Sequence, residues 1–281
     1  MFKKLLILVT LAISFSFSSL AQAKDLCVFY IHKENVFFKE FHAPLEKLAK
    51  SSGFTLQTFN ANGHYDIQSE QIAKNLINCD GSMVATSDKE VANLALSLSV
   101  AKRLPIVFFN RRPPININID YDYVWYVGTN PKQAGHKLGV LVKDYIKAHP
   151  HLDKNEDNRI DLVMLGGDKD HSDTHIRNEI FIKYMIEHDY EFNPLSGNFD
   201  NYDRIPAYKD MLRQLHKFGP GSIELIVADN DEMALGAIDA LHDFDYNLGD
   251  ENKTIPVFGI DGLTEAIHAI DKWLHGWHCV C

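Results

Sequence analysis

Residues 224–242 read ELIVADNDEMALGAIDALH, and this stretch shows the pattern on which the fold depends. ELIVA (224–228) is a short, mainly apolar run of the kind that forms a buried strand. A short polar turn follows, and from residue 231 to residue 242 apolar side chains recur at helical spacing. A buried strand that leads through a polar turn into a helix is typical of a parallel α/β sheet.

The same alternation recurs along most of the chain. We predict strands at LCVFYI (26–31), FTLQTF (54–59), SMVAT (82–86), PIVFF (105–109), YVWYVG (123–128), IDLVML (160–165), ELIVA (224–228) and IPVFGI (255–260). We predict helices near 38–51, 67–77, 88–101, 131–147, 174–187, 205–217, 231–242 and 263–274. Nearly continuous apolar strands separated by helices predict an α/β protein whose parallel sheets are covered on both faces.

These strands are too many for one short sheet, and the polar segment NRRPPININIDYD (110–122) divides the chain near its middle. We therefore predict two doubly wound parallel-sheet lobes, the first formed by residues 24–129 and the second by residues 130–281.

The first 23 residues, MFKKLLILVTLAISFSFSSLAQA, predict a cleavable secretory signal peptide. They contain two lysines, then an apolar run, then the small-residue ending Ala21-Gln22-Ala23. The apolar run is short and broken by serines, which disfavours a membrane anchor. We expect a soluble, exported protein. Its formal net charge of −10 makes nucleic acid a poor partner, because phosphate binding needs a clustered positive surface.

The chain contains four cysteines, of which Cys27 begins one predicted strand and Cys79 precedes another. An exported protein can keep a disulfide, so these two residues can pair if their strands are neighbours. Two separate buried thiols are an equally good interpretation, and the sequence leaves both open.

Polar residues follow the predicted strands at the edge where doubly wound sheets bind their ligands. These positions are 33–35, 110–112, 166–177, 229–231 and 261, and they are rich in Asn, Asp and Arg. Such a mixture of donors and acceptors suits a polyhydroxylated ligand. Strand ends are often polar for other reasons, and we interpret Asp231 as an ordinary helix cap.

Several motifs then follow one another in register over residues 25–275: LPIVFFNRRP, DYVWYVGTN, GGDKDHSDTHIR, ELIVADNDEMALGA and IPVFGIDGLTEA. In this order they resemble the periplasmic glucose/galactose-binding proteins, which are type I periplasmic binding proteins. The resemblance implies a monomer of two lobes, joined by hinge strands, that closes around one hexose in the periplasm. It also implies no enzymatic activity, delivery of the sugar to an ABC transporter permease and, in some bacteria, to a chemoreceptor.

Matched residue by residue, the resemblance assigns sugar contacts to polar side chains at strand ends: Glu34, Asn110, His171, Asp173, Arg177, Asn230 and Asp261. Tyr202 lies where the family has a Trp against one face of the pyranose ring, and a tyrosine keeps an aromatic face. In two places the chain departs from the family. Glu34 replaces an Asp, and Val36 replaces an aromatic residue, so that Phe37 would have to turn inward.

The loop HLDKNEDNRID (151–161) is similar to the start of an EF-hand calcium loop but has Met164 where the twelfth-position Glu should be. In the family a Glu from a later strand completes the loop, and Glu224 matches it. The resemblance therefore implies a structural Ca²⁺ held by Asp153, Asn155, Asp157, Asp161, Glu224 and the backbone carbonyl of Arg159. An acidic surface loop is the simpler alternative.

The final residues WLHGWHCVC (273–281) depart from the family, whose members continue and return to the first lobe. We therefore expect a C-terminally truncated member, and a non-functional remnant of such a protein is the alternative function. A sugar-acting hydrolase would need two carboxyl groups flanking the glycosidic bond, and Asp173 and Asp261 are the candidates. The binding role already accounts for both, so we favour binding over hydrolysis.

Overall fold

The computed structural model describes residues 24–272 and 277–280. In the first lobe, five parallel strands lie in the order β2-β1-β3-β4-β5. These strands are β1 (Lys24–Tyr30), β2 (Phe54–Asn60), β3 (Gly81–Ala85), β4 (Ile106–Phe109) and β5 (Val124–Val127). The helices of this lobe are α1 (Val36–Ser51), α2 (Tyr65–Asn75) and α3 (Lys89–Lys102).

The second lobe repeats this arrangement, with parallel strands in the order β10-β9-β8-β6-β7. Its strands are β6 (Arg159–Gly166), β7 (Glu191–Phe199), β8 (Leu225–Ala228), β9 (Val257–Ile260) and β10 (Trp277–Val280). Its helices are α4 (Pro131–Ala148), α5 (Ser172–Ile186), α6 (Arg204–Phe218), α7 (Asp231–His242) and α8 (Thr264–Lys272). The prediction of two doubly wound lobes is confirmed.

Every strand and helix predicted from the sequence is present, with bounds that differ by a few residues. Two strands are not apparent in the sequence pattern. The segment of β7, EFNPLSGNF, has no continuous apolar run and contains Pro194. It lies at the edge of its sheet, where proline is tolerated, and its register with β6 shifts after Leu162. The other is β10, which pairs with β9.

Within the described residues the chain passes from the first sheet to the second once, between β5 and α4. Gly128 lies in this crossing, where a Cβ atom would come within 1.9 Å of the Tyr126 hydroxyl. That hydroxyl donates a hydrogen bond of 3.1 Å to the carbonyl of Asn110. A larger residue at position 128 would therefore require the Tyr126 ring to move. The crossing lies beside the lobe boundary predicted at residue 129.

The strand order reverses in both sheets, between β1 and β3 in the first lobe and between β6 and β8 in the second. Doubly wound sheets bind ligands outside the carboxyl ends of their strands at such reversals. The segments that follow β1, β4, β6, β8 and β9 are therefore the ones to consider for a site.

A disulfide joins Cys27 in β1 to Cys79, which directly precedes β3, with 5.9 Å between their Cα atoms. The strands β1 and β3 are neighbours, which is the condition that the pairing required. Of the two alternatives that the sequence left open, the structure therefore shows the disulfide. In the part of the chain that the structure describes, no helix is long and apolar enough to cross a membrane. The predicted signal peptide (1–23) and the residues 273–276 and 281 of the atypical tail lie outside this part.

Candidate functional site

A cavity of about 120 Å³ lies between the two lobes, at the carboxyl ends of both sheets. The first lobe contributes His32, Asn35, Phe37, Phe38, Asn110, Arg111 and Thr129, and the second contributes His171, Asp173, Arg177, Asn201, Tyr202, Asp229, Asn230 and Asp261. Aromatic rings, carboxylates, amides and guanidinium groups thus line one cavity. This combination fits a small ligand that carries many hydroxyl groups.

Seven of the eight predicted contact residues line this cavity: Asn110, His171, Asp173, Arg177, Tyr202, Asn230 and Asp261. Glu34 does not, because its carboxylate pairs with Lys39 Nζ at 3.0 Å and its side chain is 60% exposed. The next residue, Asn35, lines the cavity instead. Its Oδ1 accepts from the Phe37 backbone N–H at 3.0 Å and caps α1, while its Nδ2 donates to the Tyr202 carbonyl at 3.5 Å.

Phe37 replaces the aromatic residue that is missing at Val36. It lines the cavity and also packs against the hydrophobic core of the second lobe. Its ring meets that of Phe38 edge-to-face, with 5.4 Å between the centroids. The inward turn that the sequence required of Phe37 is therefore present, and it places an aromatic ring at the cavity from the first lobe.

Tyr202 is held at both its backbone and its hydroxyl. Its backbone adopts the left-handed conformation, with φ of 60°. Its carbonyl oxygen accepts a hydrogen bond from Asn230 Nδ2 at 3.2 Å. Its hydroxyl lies 3.0 Å from His171 Nδ1 and 2.5 Å from Thr174 Oγ1, and accepts from Arg177 Nη2 at 3.3 Å. Burial raises the pKa of Tyr202 to about 12, so the phenol is neutral at ordinary pH.

Arg177 and Asp229, which both line the cavity, form a buried ion pair. Nε of Arg177 lies 3.3 Å from Oδ1 of Asp229, and only 2% of the Asp229 side chain is exposed. The other oxygen of Asp229 accepts from the Gly167 backbone N–H at 2.8 Å and from Asn178 Nδ2 at 3.1 Å. Burial raises the pKa of the Asp229 carboxyl, and the charge of Arg177 opposes that rise.

His171 is a neutral imidazole. Burial lowers the pKa of its ring to about 3, and the positive charges of Arg111 and Arg177 act in the same direction. Nδ1 is engaged by Tyr202, whereas Nε2 is buried without a hydrogen-bond partner among the described residues. Nε2 is therefore the atom that His171 can offer to a ligand.

Two further carboxylates of the cavity also have a raised pKa. Burial raises the pKa of Asp173, whose Oδ1 accepts from Ser172 Oγ at 3.3 Å. Asp261, with φ of 128°, is exposed to the cleft. The surrounding protein and the neighbouring carboxylate of Asp231 nevertheless raise its pKa above the ordinary value. Either group can accept or donate a hydrogen bond, depending on its protonation.

Asn230, not Asp231, caps α7, because its Oδ1 accepts from the Met233 backbone N–H at 3.0 Å. The interpretation of Asp231 as the cap is therefore wrong. Asp231 lies inside the first turn, and its Oδ2 accepts from the Leu263 backbone N–H at 2.8 Å. Asn230 thus lines the cavity and also caps the helix that begins beside it.

Arg111 was not among the predicted contacts, yet it both lines the cavity and links the lobes. Its Nη1 lies 2.8 Å from Oδ2 of Asp168 in the second lobe and 3.0 Å from Ser87 Oγ in the first. A further contact between the lobes runs from the Thr264 backbone N–H to Glu40 at 3.3 Å. Arg111 and Asp229 both belong to the polar segments that follow strands. Their place after a strand was the only feature of the sequence that indicated a role at the cavity.

The loop from Asp153 to Asp161 folds around its own side chains. Asp153 accepts from the backbone N–H groups of Asp157 and Asn158, at 3.2 and 2.8 Å. Asn158 has φ of 64°, in agreement with its place at the sharp turn of the loop. The side chains that alternate in the sequence therefore do organise one compact turn.

Glu224, which directly precedes β8, closes this loop through hydrogen bonds. Its two carboxylate oxygens accept from the backbone N–H groups of Lys154 and Asp161. Glu224 and Asp161 are both buried, and burial raises the pKa of Glu224, with the charges of Asp161 and Asp153 adding to the rise. A set of oxygen donors with an excess of buried negative charge fits a hard cation. In residues 24–272 and 277–280, however, no three acidic, His or Cys side chains converge at metal-binding distance.

Asp200 and Asp210 are two buried carboxylates of the second lobe. Burial and the charge of Asp210 raise the pKa of Asp200 to about 6. The folded protein therefore holds this proton more tightly than the unfolded chain, so the stabilisation is complete below about pH 4 and is lost as the pH rises through about 6. We expect Asp200→Asn to unfold at a higher urea concentration than the parent at pH 7 and at a similar one at pH 4. The exposed substitution Asp122→Asn should change neither value, and parallel pH profiles for parent and Asp200→Asn would contradict the expectation.

Comparison with known proteins places the chain among binding proteins. The profile of a family described as periplasmic binding protein domain matches residues 26–276. The chain is 31% identical over 185 residues to the D-galactose/methyl-galactoside binding periplasmic protein MglB of Haemophilus influenzae. The aligned residues make up 66% of this chain and 54% of that protein. It is 23% identical over 246 residues to the xylitol-binding protein of Mycolicibacterium smegmatis, covering 85% of this chain and 62% of the relative. The chain thus spans less than two thirds of these relatives.

Among solved structures, the Caulobacter myo-inositol binding protein bound to myo-inositol superposes with a TM-score of 0.75. The match covers 90% of this chain and 79% of that one at 19% identity, so it concerns the fold alone.

Proposed function

Because the chain belongs to the periplasmic binding protein family, we propose that it binds a monosaccharide between its lobes and delivers it to an ABC transporter permease. Its relatives and structural neighbours are named for galactosides, xylitol and myo-inositol. These compounds share small size and a hydroxyl group on most carbons. A hexose is the ligand that the motif resemblance favours.

The observation that carries this proposal is the cavity between the lobes, lined from both sides by donors, acceptors and aromatic rings. Its volume of about 120 Å³ is well above the roughly 10–15 Å³ that a cavity needs to hold one water molecule, so there is room for a small ligand. The rings of Phe37 and Tyr202 offer apolar surface for the C–H groups of a sugar. His171 Nε2, Asp173 and Asp261 are available for its hydroxyl groups.

The mechanism follows from the division of these groups between the lobes. Asn110 and Arg111 belong to the first lobe, whereas His171, Asp173 and Arg177 belong to the second. A sugar that bonds both sets lowers the free energy of the closed arrangement relative to the open one. Two contacts between the lobes do not involve the sugar: Arg111 with Asp168, and Asn35 with Tyr202. They also stabilise the closed arrangement.

Titration calorimetry of the purified protein with hexoses, pentoses and polyols tests the proposal. We expect saturable heat with at least one monosaccharide, and no release of chromophore when the protein is incubated with aryl glycosides. Absence of heat with all of these ligands would reject sugar binding, and turnover of a glycoside would reject a purely binding role.

We also propose that the loop Asp153–Asp161 and Glu224 bind a structural calcium ion. The ion would compensate the negative charge of the buried Glu224 and Asp161. A calcium concentration about 100 times the dissociation constant should stabilise the protein by about 2.7 kcal/mol. Thermal unfolding with millimolar calcium and with chelator measures this shift.

Glu224→Gln should abolish the calcium-dependent shift, whereas Glu251→Gln, an exposed substitution elsewhere in the second lobe, should preserve it. An equal melting temperature with calcium and with chelator in the parent protein would leave the acidic loop without a metal.

The family points to an extracytoplasmic location, and we propose the periplasm, reached through the predicted signal peptide at residues 1–23. A chemoreceptor is proposed as a second partner of the closed form. The periplasmic location and the chemoreceptor are both implied by the motif resemblance.

A further inference from the structure

We propose that the cleft selects its sugar by charge, taking amino sugars in their protonated form in preference to neutral sugars and excluding acidic sugars. This inference rests on the proposed function, because it names the class of sugar for the same cleft. It refines the expectation of a hexose, since a hexose can be neutral, basic or acidic.

Both guanidinium groups of the cavity already face a carboxylate of the protein. Arg111 pairs with Asp168 at 2.8 Å, and Arg177 pairs with Asp229 at 3.3 Å. None of these four side chains is more than 20% exposed, so solvent and salt screen the two pairs only weakly. The guanidinium charges of the cavity are therefore balanced by the protein itself, and none is left over for an acidic ligand.

Two carboxylates of the cavity have no such counter-ion. Asp173 and Asp261 both line it, and among the described residues neither forms an ion pair with a basic side chain. The other basic side chains that line the cavity are the imidazoles of His32 and His171, and burial keeps His171 neutral. The cavity therefore carries an excess of negative charge.

The pKa values of these two carboxyls agree with charge that is not compensated. Burial is the largest cause of the raised pKa at both of them. At Asp261 the charge of Asp231 adds to the rise in pKa, and Arg177 opposes it with a smaller effect. At Asp173 the charges of Arg112 and Arg177 oppose the rise without cancelling it. An ammonium group beside either carboxylate would supply the missing positive charge.

Selection by charge does not depend on one orientation of the sugar. Coulomb attraction falls only with the first power of distance, whereas a hydrogen bond needs a short and nearly linear contact. Asp173 and Asp261 line the same cavity of about 120 Å³, so an ammonium group on a small sugar cannot lie far from both. A carboxylate on the sugar would be repelled by both, while a neutral sugar can still donate its hydroxyl protons to them.

Calorimetry with sugars that differ in charge tests the inference, in a slightly acidic buffer that keeps the amines protonated. One series contains D-glucose, its amino derivatives substituted at different carbons, and D-glucuronate, and a second contains the corresponding galactose compounds. In the series that it recognises, the parent protein should bind at least one amino derivative about tenfold more tightly than the neutral sugar. It should bind the uronate at least about tenfold more weakly than the neutral sugar.

Asp173→Asn and Asp261→Asn each replace one carboxylate with an amide of the same shape. Because the raised pKa values mean that the folded protein disfavours the ionised forms, neither substitution should unfold the protein. At least one of them should reduce the preference for the amino sugar about tenfold. Asp170→Asn is the matched control, since it removes the same charge from an exposed position between β6 and α5 that does not line the cavity, and it should leave the preference unchanged.

A parent protein that binds the neutral sugar at least as tightly as every amino derivative overturns the inference and leaves the proposed function intact. Equal affinities for the uronate and the neutral sugar have the same meaning, as does an unchanged preference in both asparagine variants. A protein that binds no sugar of either series and none of the other monosaccharides rejects the proposed function, and this inference with it.

Discussion

Replacing Arg177 with methionine is expected to abolish sugar binding and to lower the free energy of unfolding by about 3–5 kcal/mol. The reason is the carboxylate of Asp229, whose side chain is only 2% exposed. Without Arg177 this charge keeps its bonds to Gly167 and Asn178 but loses its counter-ion. A buried charge without a partner is among the most destabilising changes that a single substitution makes.

Urea unfolding and calorimetry measure the two effects separately. The double variant Arg177→Met/Asp229→Asn removes both charges, so it should recover most of the lost stability while sugar binding stays absent. Lys183→Met is a matched control, because Lys183 and Glu187 form an exposed pair whose removal should cost less than about 1 kcal/mol. If Arg177→Met unfolds at the same urea concentration as the parent, the pair is not a structural element of the site.

Gly135→Ala is expected to destabilise the second lobe by about 1–3 kcal/mol or more, although alanine favours helices. Gly135 lies in α4, and a Cβ atom there would be 2.3 Å from the backbone carbonyl oxygen of Arg177 in α5. Backbone cannot rotate away as a side chain can, so α4 and α5 would have to separate. Because α5 also carries Asp173, this movement should weaken sugar binding as well.

Thermal unfolding checks this result. Gly221→Ala is the control, since nothing lies within 4 Å of its Cβ position, and it should leave the melting temperature nearly unchanged. Gly236→Ala should resemble Gly135→Ala, because its Cβ would be 2.3 Å from the Arg204 carbonyl oxygen in the neighbouring helix α6. Equal melting temperatures for Gly135→Ala and the parent would show that the two helices can move apart at little cost.

Local patterns in the chain were sufficient to predict the two lobes. Apolar runs such as ELIVA (224–228) and VFF (107–109) are buried strands in the structure, and each is followed by polar residues at the cavity. The rule that parallel sheets bind ligands at their carboxyl ends then selected Asn110, Asp229 and Asp261 from the sequence. These successes depend on information that is local along the chain.

The individual roles within the cavity depended on contacts between distant parts of the chain. Whether Glu34 or Asn35 faces the cavity is decided by Lys39 and by the carbonyl of Tyr202 in the other lobe. The pairing of Arg177 with Asp229 and the disulfide of Cys27 with Cys79 likewise join residues from different strands and helices.

The sequence by itself thus determined the two doubly wound lobes and the edge of each sheet at which a ligand can bind, because hydrophobic periodicity and strand ends are local properties. Only the tertiary structure decided that Glu34 turns outward and that Arg177 forms an ion pair with Asp229. It also decided that the Tyr202 hydroxyl forms hydrogen bonds with His171 and Arg177. Those outcomes depend on how closely helices and sheets approach one another. That approach is set by packing between residues far apart in the chain, as at Gly135 and Gly167.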